Sequence, residues 1–250
     1  MVAMSCGYLS AVVGNKYRHS YQTRRELMRE VAGRNRTAGY GNLGILFQQD
    51  FVSSVYSSVD EAAGCELNRL YIEEGKISTC KRGCFYCCGQ HILTNIAEAQ
   101  ALGHFIKQEL SLCQIEDLRI RTQKWHEWDK MRRGRRDAAH SVEQLASPAY
   151  HYCPLLVEGE CSVYPMRPLT CRTHFVCSDP SACRHASDPG SVEDDPTALA
   201  TVLEVTNPFS AKIGDRIKIT GLDYTKSIML LPHWLAIEMN WGFAISPQFG

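Results

Sequence analysis

CKRGCFYCC, residues 80–88, places four cysteines within nine positions of the chain. Thiolates are soft ligands that suit zinc, copper(I) and iron–sulfur clusters. Unligated cysteines behave as small buried hydrophobes and usually occur singly in protein cores, so four of them are not expected in one loop. Gly83 gives the loop the freedom to turn tightly between Cys80 and Cys84. The stretch therefore predicts a thiolate-ligated metal site around which the rest of the fold is organised.

The adjacent pair Cys87-Cys88 limits the geometry of that site. Neighbouring side chains on an extended backbone point to opposite sides, so both thiolates reach one ion only where the backbone turns sharply. Three arrangements stay open: a polynuclear cluster, two neighbouring sites, or one structural cysteine beside three ligands. Spacing alone does not choose among them.

A second group of cysteines contains Cys153, Cys161, Cys171, Cys177 and Cys183, with 7, 9, 5 and 5 residues between successive members. Zinc ribbons and knuckles usually supply paired hooks with two to four residues between the cysteines. Irregular gaps fit an iron–sulfur cluster better. The accompanying prolines exclude a long regular element, so this segment is expected to be a loop organised by metal. We expect an iron–sulfur cluster, with 4Fe-4S preferred, and keep zinc or iron ions as the alternatives.

Polar side chains near the cysteines are candidates for supporting roles. His174 is the best placed of the histidines, because it lies midway between Cys171 and Cys177. It could replace a thiolate or hydrogen bond to one, although a hydrogen-bonded structural role is the favoured interpretation. A site with four or more thiolates is strongly anionic, so the guanidiniums of Arg167 and Arg172 would stabilise its charge.

The two cysteine-rich stretches together resemble a known family. CKRGCFYCC followed by CPLLVEGECSVYPMRPLTCR, residues 153–172, is similar to the pattern of the YkgJ-type cysteine-cluster family, a group of zinc- or iron-chelating domains. The resemblance spans roughly residues 76–185. The matching positions are Cys80, Cys84, Cys87, Cys88, Cys153, Pro154, Leu155, Leu156, Cys161, Val163, Tyr164, Arg167, Pro168, Cys171 and Arg172.

The resemblance implies a bound metal but says little about activity; a related branch is similar to flagellin lysine methylases. It implies a pool of ligands, to which we add Cys177. The side chains predicted to surround the ligands are His174, Arg167, Arg172 and Tyr164. The predicted metal ligands are Cys80, Cys84, Cys87, Cys88, Cys153, Cys161, Cys171 and Cys177.

Several functions remain open for such a site. Cys80-x3-Cys84-x2-Cys87 also resembles the motif of radical S-adenosylmethionine enzymes, but helices rather than barrel strands are predicted on both sides of it. Other candidates are redox chemistry, metal handling, and modification of a small molecule or peptide. The simplest alternative is structural zinc without catalysis. Signatures of acid–base or nucleophilic catalysis are missing from the sequence.

Composition describes an ordinary globular chain of 250 residues with a formal net charge of zero, so nucleic acid and membrane are not expected as partners. The N-terminus lacks the pattern of a signal peptide, which predicts a cytoplasmic protein in which its 12 cysteines serve metal binding rather than disulfides. Cys6, Cys65 and Cys113 are set apart as small buried hydrophobes.

The expected fold class is mainly α: an irregular helical domain whose cysteine-rich loops surround the metal or iron–sulfur site. An N-terminal helical extension (1–75) precedes the metal-binding domain (76–190), and a C-terminal extension (191–250) packs on the same core. Helices are predicted at 21–33, 60–75 with Asp60 as N-cap, 95–110 with Thr94 or Asn95 as N-cap, 114–134, 137–146, after Asp195-Pro196 and from Leu231, with a strand at 211–221.

Overall fold

The structure, a computed structural model, describes residues 49–137, 152–185 and 196–243. Most of these residues are helical, as the predicted fold class required, and little sheet is present among them. The helix predicted at 21–33 lies outside the described residues, as do Cys6, His151 and most of the segment predicted at 137–146.

The helices are numbered in chain order and connected by short strands and turns. In the described parts of the chain, short 3-10 turns occupy Tyr86–Gly89, Tyr164–Met166 and Thr225–Ser227. Strand β1 (Leu93–Thr94) pairs antiparallel with β4 (Met229–Leu230), and β2 (Leu156–Val157) pairs antiparallel with β3 (Glu160–Cys161). The helices are α1 (Gln49–Glu74), α2 (Ile96–Glu109), α3 (Leu112–Asp137), α4 (Leu169–Arg172), α5 (Ala182–His185), α6 (Ala200–Ile219) and α7 (Leu231–Glu238).

Helix α1 is longer than predicted. Its buried side chains recur at spacings of three and four from Val52 onward, so the helix runs through Asp60 instead of beginning there. The predicted N-cap at Asp60 is therefore wrong. The predicted stop is confirmed: Gly75 adopts a φ of +64°, and the backbone N–H of Lys76 donates to the carbonyl of Leu70 at 3.1 Å, which closes the helix end.

Helix α2 begins where its capping residue predicts. The side chain of Asn95 accepts a hydrogen bond from the backbone N–H of Glu98 at 3.1 Å, so Asn95 is the N-cap. Helix α3 begins at Leu112 and ends at Asp137, two or three residues beyond each predicted end, and α7 begins at Leu231 as predicted.

The strand predicted at 211–221 is wrong, because α6 covers residues up to Ile219. Alternating isoleucines and lysines suggested period two. In the structure Ile213 and Ile217 are fully buried on one face, whereas Ile219 is 72% exposed. The buried positions therefore follow the helical period, and burial of this face against α1 decides the conformation. The helix also begins at Ala200, after the predicted start at Asp195-Pro196.

One core connects these elements. Helix α1 packs against α6 and α2, and α7 packs against α2 and α3. This core contains side chains that are at most 2% exposed, among them Leu102, Leu118, Ile213 and Leu235. Burying each such side chain stabilises the fold by about 1.5–3 kcal/mol. The core continues beneath the cysteine-rich loops through Leu155 and neighbouring apolar side chains, so these loops rest on a rigid base. No helix among the described residues has the length and apolar character needed to cross a membrane.

Candidate metal centre

Six cysteines from three separate segments line one cavity. Its volume is about 70 Å³, and apolar side chains such as Leu155 and Leu231 form its floor. Cys153 is buried, and the other five are partly exposed, so the cavity reaches solvent. The cysteines are Cys84, Cys87, Cys88, Cys153, Cys161 and Cys171.

A 3-10 turn at Tyr86–Gly89 presents the adjacent pair to the cavity. The backbone N–H of Cys88 donates to the carbonyl of Phe85 at 2.9 Å, and that of Gln90 donates to the carbonyl of Cys87 at 3.0 Å. Because the backbone turns here, both thiols line the same cavity, although their side chains would diverge on an extended chain. Gly83, with a φ of +85°, makes the preceding turn that brings in Cys84.

The second segment is bonded directly to the first. The backbone N–H of Cys153 donates to the carbonyl of Cys88 at 2.8 Å, which fixes the two chains side by side. The hairpin of β2 and β3 then places Cys161 opposite Leu156. From α3, the Nε of Arg121 donates to the carbonyl of Pro154 at 2.8 Å. Backbone pairing thus brings together cysteines that are far apart in sequence.

The third segment carries Cys171 on the short helix α4. Its backbone N–H donates to the carbonyl of Pro168 at 2.9 Å, and Pro168 itself lines the cavity. The neighbouring N–H of Leu169 donates to the carboxylate of Glu98 at 2.7 Å. A buried side chain of α2 therefore holds the segment that carries the sixth thiol.

The two remaining predicted ligands lie outside the lining of this cavity. The sulfur of Cys80 accepts a hydrogen bond from the backbone N–H of Val176 at 3.4 Å. Cys177 packs against a separate apolar cluster, and its thiol is 3.7 Å from the carbonyl of Thr197. Cys65 and Cys113 are exposed, so the expectation that they are buried is wrong.

The pKa values of the cavity thiols depend on burial and on the hydrogen bond between the side chains of Cys88 and Cys87. A hydrogen bond from Cys88 lowers the pKa of Cys87 to about 7, and the same bond, together with burial, raises the pKa of Cys88. Burial raises the pKa of Cys153 to about 12 and that of Cys171 well above its usual value. Burial also raises the pKa of Cys161. Burial therefore favours the neutral form of Cys88, Cys153, Cys161 and Cys171.

Among the described residues, one guanidinium belongs to the cavity lining. Arg167 lines the cavity, and its charge favours the thiolate forms of Cys87, Cys161 and Cys171. Its guanidinium carbon lies 4.3 Å from the ring centre of Tyr164, which also lines the cavity. The Nε of Arg167 is buried and has no hydrogen-bond partner among the described residues. Arg167 thus offers both a charge and a spare donor beside the cavity.

Arg172 and His174 are placed differently. Arg172 is 3% exposed; it donates to the carboxylate of Asp60 and to two backbone carbonyls, and lies outside the cavity lining. His174 also lies outside the lining, and burial lowers its pKa. Its Nε2 has no partner within the described part of the chain.

The donor set of the cavity consists of soft thiol groups. Among the described side chains, no three Cys, His, Asp or Glu groups are arranged to hold a metal ion as they stand. The six thiols instead surround a space several times larger than the roughly 10–15 Å³ that a single water-sized atom needs. Six soft donors and one facing guanidinium fit the composition and negative charge of a thiolate-bound cluster.

Two supporting residues were missed by sequence reasoning. Glu98 follows its N-cap Asn95 by three residues, the spacing of a capping box, so the sequence signalled a role at the helix start but not its burial. Arg121 carries no local signal, since its partner Pro154 lies 33 residues away.

The chain matches no family model, and neither a curated protein nor a solved structure matches it.

Proposed function

We propose that this chain is an iron–sulfur protein whose cluster is bound by cysteines of this cavity, which offers six thiols where a 4Fe-4S cluster needs four. The observation that supports this is the gathering of six thiols, from three segments of the sequence, around one cavity of about 70 Å³. Thiolates are the usual ligands of iron–sulfur clusters, and an adjacent cysteine pair on a turn supplies two of them. Cys80 stays a candidate ligand, because its sulfur already accepts a backbone hydrogen bond of the kind that stabilises a ligated thiolate.

The size and number of the donors favour a cluster over one zinc ion. A structural zinc site is closed by four ligands that converge on a single point. Here six thiols line one cavity, two more than such a zinc site uses. The cavity, at about 70 Å³, has room for a centre larger than one ion. The preference for iron–sulfur thus has a geometric basis in addition to the irregular spacing of the cysteines.

The proposed roles of the surrounding residues follow from charge. Arg167 offsets the negative charge of the thiolates, its Nε is a donor without a partner among the described residues, and the ring of Tyr164 contacts its guanidinium. The apolar floor lowers the local dielectric, which strengthens this interaction. When bound, an iron–sulfur cluster supplies one-electron redox chemistry. Because five of the cysteines are partly exposed, the centre is accessible to a small molecule or a protein that exchanges electrons or metal.

Anaerobic purification followed by iron, sulfide and zinc analysis tests the proposal. We expect brown protein with broad visible absorbance and with iron and acid-labile sulfide in similar amounts. Cys171→Ser removes one cavity thiol and is expected to lower the iron content severalfold. Cys113→Ser is the matched control, since Cys113 is exposed on α3 and outside the cavity.

Two results would contradict the proposal. Colourless protein with stoichiometric zinc would show that the cysteines form a structural zinc site. Equal iron content in the Cys171 and Cys113 variants would show that the cavity does not hold the iron. If the brown protein cleaves S-adenosylmethionine after reduction, the cluster is confirmed and its chemistry is that of the radical enzymes.

A further inference from the structure

Glu98 is a buried acid that lies outside the cavity lining. Its side chain is on α2 and is 3% exposed. One carboxylate oxygen accepts from the hydroxyl of Tyr56 at 2.8 Å and from the backbone N–H of Leu169 at 2.7 Å. The other oxygen accepts from Asn95 at 2.6 Å and from Thr94 at 3.3 Å. Four donors thus converge on one carboxyl group in the interior.

These bonds connect three parts of the chain that are distant in sequence. Tyr56 belongs to α1, Glu98 to α2, and Leu169 to the first turn of α4, two residues before Cys171. A buried carboxylate is costly unless it is well hydrogen bonded, and an apolar side chain could fill the same space without this cost. The arrangement is best explained by the need for a fixed acceptor at the backbone of α4.

Tyr56 also contacts the same segment through the side chain of Arg172. The guanidinium carbon of Arg172 lies 4.1 Å from the ring centre of Tyr56, and the guanidinium donates to the carboxylate of Asp60 on α1. Arg172 also donates to the backbone carbonyls of Pro165 and Arg167. Residues 165–172 are therefore bonded to α2 through Glu98 and to α1 through Arg172, and Tyr56 contacts both of these side chains. Tyr56 and Asp60 belong to α1, which lies outside the segment of the motif resemblance.

We propose that Glu98 is a positioning residue that fixes the thiol of Cys171 against the cavity by accepting the backbone hydrogen bond of Leu169. This inference rests on the proposed function, because the position of Cys171 matters for metal binding. The hydrogen bonds that hold the segment do not depend on what the cavity binds. It assigns to α1 and α2 the task of holding the third ligand-bearing segment in place before any metal is bound. A preorganised thiol loses less freedom when a metal binds.

The test compares Glu98→Ala with Glu98→Gln in the full chain after removal of metal by a chelator. The readout is the rate at which iodoacetamide alkylates Cys171, followed by mass spectrometry of peptides, with Cys84 as an internal reference on a separate loop. Gln keeps an oxygen for the bonds from Leu169 and Tyr56, so Glu98→Gln is expected to react within about threefold of the wild type. Glu98→Ala leaves buried donors unpaired and is expected to react about tenfold faster at Cys171.

Two controls separate positioning from general destabilisation. Thr170→Val removes an exposed hydrogen bond from the same segment to the carbonyl of Leu93 and is expected to change the rate less than about threefold. Val202→Ala truncates a fully buried side chain of the α1–α6 interface and is expected to leave the ratio of Cys171 to Cys84 alkylation unchanged. A rise of that ratio in Val202→Ala equal to the rise in Glu98→Ala would overturn the proposal.

Metal content separates this inference from the proposed function. With the cluster assembled, Glu98→Ala is expected to bind less iron than Glu98→Gln. If the chain never binds iron but Glu98→Ala still exposes Cys171 selectively, the positioning role is confirmed and the iron–sulfur proposal fails. If Cys171 reacts at the wild-type rate in Glu98→Ala, or if Glu98→Gln reacts as fast as Glu98→Ala, the positioning role is refuted.

Discussion

Replacement of Arg172 by Met is expected to destabilise the fold by about 3–5 kcal/mol. The guanidinium is 3% exposed and donates to one carboxylate and two backbone carbonyls. Its removal leaves the carbonyls of Pro165 and Arg167 without their donor, at about 1–3 kcal/mol each. Loss of the contact with the ring of Tyr56 adds about 1 kcal/mol, and relief of the buried charge offsets part of the sum.

Urea denaturation followed by circular dichroism measures this loss. Arg172→Lys is expected to fall between the wild type and Arg172→Met, because an ammonium cannot reach all three acceptors at once. Asp60→Asn is the matched control: it keeps an oxygen that can accept from Arg172, and the side chain is 48% exposed, so the change is expected to cost about 1 kcal/mol or less. A loss below about 1 kcal/mol for Arg172→Met would refute the reasoning, and so would equal losses for Arg172→Met and Asp60→Asn.

Two further predictions concern pH and the second cysteine segment. Burial raises the pKa of Glu238 from 4.5 to about 7, so the folded state holds this proton more tightly than the unfolded state. Stability should therefore fall by about 1–3 kcal/mol between pH 4.5 and 7 relative to Glu238→Gln in urea titrations, and parallel pH curves would contradict this. Arg121→Met removes the donor to the carbonyl of Pro154 and should accelerate amide hydrogen exchange at residues 153–156 about fivefold. Equal acceleration at residues 100–106 would indicate global loosening instead.

The sequence alone determined features whose causes act over a few residues. Asn95 caps α2 because its side chain needs to reach only three positions forward. Gly75 ends α1 because a left-handed backbone is cheap for glycine. Local patterns gave wrong predictions at residues 211–221 and at Asp60. The alternating pattern at 211–221 fits a strand or a helix, and Asp60 fits an N-cap or a position within a helix. Packing of α1 against α6 decided both cases.

The composition of the cysteine cavity was decided only by the tertiary structure. The sequence predicted eight thiolate ligands, and six of them line the cavity, while Cys80 and Cys177 lie beside Val176 and Thr197. Spacing could not make this distinction, because the hydrogen bond between Cys153 and Cys88 joins residues 65 positions apart. The partners of Glu98 and Arg172 depend on the same loop closures. The sequence thus shows which residues can act as thiol ligands. Which of these thiols come together depends on how α1, α2 and α3 hold the loops.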